Sequence, residues 1–115
     1  MEKWITDMTD DPERQKELQN WFTECYGKIK HFQTLKAAVE FGVKAFKNLP
    51  KDPDGDDFGF ADILLAPKDY SEGGRYCLCP STTLQALLFA GFQTDDGGPQ
   101  PRDPMWIADE KGWKF

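Results

Sequence analysis

The sequence is short of the groups that most enzymes use. It has one histidine, His31, and a Ser-His-Asp site would have to use it. His31 lies beside Phe32 near a predicted helix end, and no Gly-x-Ser-x-Gly turn accompanies it. Neither Gly73-Gly74 nor Gly97-Gly98 precedes a lysine-capped helix, so no phosphate-cradling loop is expected. There are three cysteines, an odd number, which argues against a disulfide framework and for a reducing, cytoplasmic setting. On a strand, Cys77 and Cys79 would share a face with Cα atoms about 6.6 Å apart, near the upper limit for a disulfide. The N-terminal MEKWITDMTDDP is acidic and lacks an apolar core, so no signal peptide is expected. The longest uncharged stretch, Tyr76–Thr94, is interrupted by Pro80 and carries threonines and a glutamine, unlike a membrane span.

Basic residues are also scarce where acids are dense. Residues 1–50 hold eight acids and eight bases, whereas residues 51–115 hold twelve acids and six bases, so the net charge of −6 resides in the second half. Duplex nucleic acid needs clustered Lys and Arg, so it is not an expected ligand. A basic protein would instead be steered toward the C-terminal half. The 115 residues suit one domain, residues 1–115. Mean hydropathy is −0.65, but the four tryptophans and 14% aromatic content argue for a folded core.

The pattern predicts an α+β fold. Asp11-Pro12-Glu13 opens a helix, with the aspartate as cap and proline in the first turn. Leu18, Trp21, Phe22, Cys25, Tyr26 and Ile29 form its apolar stripe. Thr34 caps a second helix with Leu35, Ala38, Val39, Gly42, Phe46 and Leu49 inward, and Glu40 is spaced to pair with Lys44. The short link between the two predicts an N-terminal helical hairpin, with Trp21 and Phe46 in the core. Phe58–Ala66 and Arg75–Cys79 read as paired strands. Thr82-Thr83-Leu84-Gln85 fits a capping box opening a third helix that ends before Gly91. That helix carries no charge, which predicts either a buried central position or a homodimer contact through residues 82–90. Thr94–Pro104 reads as a linker. Pro104–Ala108 and Trp113–Phe115 then read as a final hairpin, with Trp106, Trp113 and Phe115 packed inward. The whole is a small antiparallel sheet of about four strands with helices over it.

Candidate sites are few. Asp52, Asp54, Asp56 and Asp57 lie in six residues with Pro53 and Gly55. The first three match the start of a calcium loop, but Gly55 comes early and Ile63 stands where a bidentate glutamate belongs. A solvated connector or an acidic partner surface are the other readings. Nine aspartates (Asp7, Asp10, Asp11, Asp52, Asp54, Asp56, Asp57, Asp95 and Asp96) are what a nucleic-acid mimic would draw on, although a charge of −6 is modest for one. Cys79-Pro80 at a strand-to-helix junction is where a thiol pKa would fall, the basis of a thiol-dependent redox enzyme. Cys25, His31, Cys77 and Cys79 could supply zinc ligands, without the usual spacing. Asp62, beside Ile63, is the carboxylate placed for a raised pKa. The expectation that weighs these together is a non-catalytic acidic protein that inhibits a nucleic-acid-binding or nucleic-acid-cleaving partner, needing no cofactor. Its contacts would come from Asp52, Asp54, Asp56, Asp57, Asp95 and Asp96. Toxin-neutralising proteins and phage inhibitors of nucleic-acid-targeting defence systems share this composition.

Overall fold

The computed structural model describes residues 1–48, 61–98 and 100–115. It is an α+β fold with a four-stranded antiparallel sheet. In chain order the elements are α1 (Lys3–Met8), α2 (Pro12–Gly27), β1 (Lys30–Phe32), α3 (Leu35–Lys47), β2 (Ala61–Leu65), β3 (Tyr76–Pro80), α4 (Leu84–Phe89), β4 (Gln93–Thr94) and α5 (Pro104–Lys111). The strands lie in the order β1-β3-β2-β4. Ile63 pairs with Leu78 at the centre, His31 with Cys77 on one side and Leu64 with Thr94 on the other.

The alternation of side chains along β2 and β3 divides the apolar interior in two. Leu64, Cys77 and Cys79 point to one face, where Phe22, Cys25 and Ile29 at the α2 end and Ala86 and Leu87 of α4 cover them. Ala61, Ile63 and Leu78 point to the other face, against Ala38, Val39 and Val43 of α3 and Ile107 and Ala108 of α5. The two long N-terminal helices therefore do not cover one another as a hairpin. The residues joining them form β1, and that edge strand sends the chain from one face of the sheet to the other.

Local signals fix the ends of these helices. Asp11 accepts a hydrogen bond from the Glu13 amide at 3.1 Å, with Pro12 in the first turn. Thr34 accepts from the Ala37 amide at 3.1 Å, and Lys44 reaches Glu40 at 2.8 Å across one turn. Leu18, Phe22, Cys25 and Ile29 are buried as the stripe requires. Trp21 and Phe46, expected in the core, are exposed. The covered line of α2 is narrower than its apolar stripe, and Trp21 lies at its margin. On α3, burial ends one turn before Phe46, at Val43. The short N-terminal α1, for which the sequence offered no signal, buries Ile5 and lays Trp4 edge-on to Phe22 with centroids 5.7 Å apart.

Two boundaries differ from expectation. The Thr82-to-Gln85 capping box is not formed. Ser81–Thr83 make a tight turn, the Thr83 hydroxyl donates to the Pro80 carbonyl at 2.9 Å, and α4 begins at Leu84. Ala86 and Leu87 are buried, while Phe89 is exposed and stacks on Trp4. The expected final hairpin at 104–115 is a helix. Asp103 accepts from the Trp106 amide at 2.8 Å, Pro104 occupies the first turn, and Gly112 at φ 72° supplies the left-handed terminator. Trp113 and Phe115 still pack against the second core, whereas Trp106 turns outward.

Candidate functional site

The segment read as a linker is tied to the fold by one cation. From Thr94 the chain loops out and returns to lie against β2, where the Ile63 amide donates to the Arg102 carbonyl at 3.1 Å. The return places the Arg102 side chain under the loop. Its Nε donates to Asp95 at 3.3 Å and lies 3.4 Å from Asp96, its Nη2 donates to the second Asp95 oxygen, and its Nη1 donates to Glu110 on α5. These bonds, those to Asp95 and then Glu110 foremost, hold the guanidinium proton even more firmly than usual. Two loop bonds fix the carboxylates: the Gly98 amide donates to Asp96 and the Thr94 hydroxyl to the Gly98 carbonyl, both at 2.8 Å.

Asp95 and Asp96 are adjacent in sequence but differ in position. Asp95 is 1% exposed at its side chain and faces inward onto Arg102. Asp96, like Glu110, is 45% exposed. Of the two, Asp96 is the one that can meet a partner. Three carboxylates surround one guanidinium, so the corner keeps an excess of negative charge.

Trp106 is the residue here that sequence reasoning placed in the core. It is 54% exposed, and the Arg102 guanidinium carbon lies 5.8 Å from its ring centroid. Trp106 and Glu110 lie one turn apart on α5, and Asp103 caps that helix through the Trp106 amide. Asp96, Gly98, Gln100, Arg102, Trp106 and Glu110 line an open pocket of about 250 Å³. The missed signal is Asp103-Pro104, the same helix start as Asp11-Pro12.

The other candidates are placed as follows. Asp52, Asp54, Asp56 and Asp57, with the calcium-loop reading that rests on them, lie outside the described residues. Cys79 is fully buried, and burial, with Asp62 nearby, pushes its thiol up to about 12. The lowering expected from the following helix is outweighed, because the thiol faces the core and a tight turn separates Pro80 from α4. Cys77 is pushed up to about 12 for the same reason, burial. Its sulfur lies 3.4 Å from Nδ1 of His31, which is also 3.1 Å from the Gly74 carbonyl oxygen. Cys25 lies in the same core, yet among the described residues no three His, Cys, Asp or Glu side chains are grouped to hold a metal. Asp62 has its pKa raised, first by burial and then by Asp103. No helix among the described residues is long and apolar enough to cross a membrane.

Comparison with protein-family models, curated proteins and solved structures returns no match. The chemistry of the corner therefore rests on its own geometry.

Proposed function

We propose that the chain is a small acidic, non-catalytic protein that binds and inhibits a basic protein, one that binds or cleaves nucleic acid. The observation that carries this is the α5 corner, where exposed Trp106 lines one pocket with the half-exposed carboxylates of Asp96 and Glu110. Charge segregated onto one part of a molecule steers an oppositely charged partner and sets its orientation. Tryptophan is among the side chains that most often dominate interface energies. A nucleic-acid-handling protein presents Lys and Arg for phosphate, so carboxylates that occupy those groups compete with its substrate. Asp52, Asp54, Asp56 and Asp57 are proposed as further contacts on the strength of their sequence alone.

The test is capture of a partner from lysate at low salt, its identification by mass spectrometry, and a purified binding measurement with the parent and with Asp52, Asp54, Asp56, Asp57 and Asp96 reversed to lysine. The captured protein is expected to be basic and its nucleic-acid activity to be suppressed. Affinity is expected to fall as salt rises from about 0.05 to about 0.2 M. Charge reversal should weaken binding at least about tenfold, the equivalent of ~1.4 kcal/mol. Equal binding by the reversed variant, insensitive to salt, would reject an acidic contact surface.

A further inference from the structure

Resting on that acidic-binding reading, we propose that the Trp106 pocket is the anchor point for one arginine side chain from a basic segment of the partner. The guanidinium would lie against the open part of the indole, with its edge toward Glu110 and Asp96.

The walls of the pocket select this occupant. An anion is disfavoured, because Arg102, the one cation lining it among the described residues, directs Nε, Nη1 and Nη2 at carboxylates already. An apolar side chain would cover the indole at the cost of desolvating Asp96 and Glu110 without pairing them. A cation meets both needs. It gains from the indole face, the strongest of the aromatic rings for this purpose, and from the negative charge that Arg102 leaves unbalanced. At about 250 Å³ the space lies below the range of small-molecule sites, roughly 300–1,000 Å³, and suits a single side chain.

Arginine fits better than lysine. Its planar group stacks on aromatic rings and bonds carboxylates two at a time, whereas an ammonium is a compact, strongly hydrated point charge. The molecule already contains this arrangement: Arg102 lies beside the Trp106 ring while bonded to Asp95 and Glu110. The partner's arginine would repeat it from outside. Trp106 and Glu110 stand on a helix capped at both ends, so binding orders little that is not already ordered.

The probe is a fluorescein-labelled peptide alternating glycine and arginine, titrated with the full chain and followed by anisotropy. Saturable binding that weakens with salt is expected, with the lysine counterpart weaker and the glutamate counterpart not binding. Trp106→Ala should weaken arginine-peptide binding about tenfold, and Trp106→Phe should keep an intermediate affinity. Asp96→Asn with Glu110→Gln should weaken it at fixed indole. Circular dichroism checks that each variant is folded. Equal binding by the parent and Trp106→Ala, or equal binding of the glutamate peptide, overturns the anchor. So does a concentration-dependent dimer that Trp106→Ala converts to monomer, since the occupant is then a second copy. If partner capture survives Trp106→Ala but is lost on reversing Asp52, Asp54, Asp56 and Asp57, the anchor fails and the acidic-protein reading stands. If capture survives both, that reading fails as well.

Discussion

Single residues show how much environment outweighs identity in this molecule. Asp95 and Asp96 have the same side chain, yet one is enclosed by Arg102 and the other faces solvent because the chain turns between them. Asp62 differs from both: among the described residues no ion pair accompanies it, and its partial burial, then the charge of Asp103, raise its pKa. Its folded-state pKa lies above the ordinary 3.8, so the proton is held more tightly in the folded state than in the unfolded one. Stability linked to this group is complete below the ordinary value and is lost as pH rises through the folded pKa. Asp62→Asn, which removes the charge at equal size, is expected to raise the thermal midpoint at pH 7. The gain should disappear at acid pH below the ordinary carboxylate value. A melting series in pH checks this, and a lower midpoint at pH 7 would mean that the carboxylate has a stabilising partner.

Among the elements, the contact between α3 and α5 reverses an ordinary expectation. Gly42 lies in the interior of α3, where alanine would normally stabilise a helix by ~1 kcal/mol. Here a Cβ on Gly42 would come 2.3 Å from Cγ and 2.7 Å from Cβ of Pro104. Pro104 is a rigid ring in the first turn of α5, so it cannot rotate away as a flexible side chain would. Gly42→Ala is therefore expected to destabilise by ~1–3 kcal/mol, through displacement of α5 from α3. Denaturant unfolding measures it, and a stabilised variant would show that the two helices are not so close. The same packing explains why α5 was misread. Its apolar positions Met105, Trp106 and Ile107 are consecutive, which looks like strand. Only Pro104, Ile107 and Ala108 are buried against the fold.

For the molecule as a whole, both apolar cores share β2 and β3. Loss of either face removes the support of strands that hold the other, so the chain is expected to unfold in one cooperative step. Cys25, Cys77 and Cys79 all lie in the core under α2 and α4 and serve as reporters of that face. With burial holding Cys77 and Cys79 near 12, thiolate is scarce in the native state. Thiol labelling through a denaturant series is expected to share its midpoint with circular dichroism and tryptophan fluorescence. Labelling at lower denaturant would show that this face opens by itself.

Much of this architecture was legible from local chemistry. Helix starts at Asp11 and Thr34, the pairing (though not the register) of the strands now seen as β2 and β3, the terminator at Gly91 and the separation of charge between the two halves depend on short-range hydrogen bonding, backbone sterics or residue counts. Those causes act within a few residues, so the sequence by itself determined an α+β fold with an antiparallel sheet and an acidic second half. Which face each helix covers, where Trp106 points and which carboxylate Arg102 encloses are matters of contact between segments far apart in the chain. Tertiary structure alone decided them, because the charge balance at the α5 corner exists only once Thr94 and Arg102 have been brought to the same edge of β2.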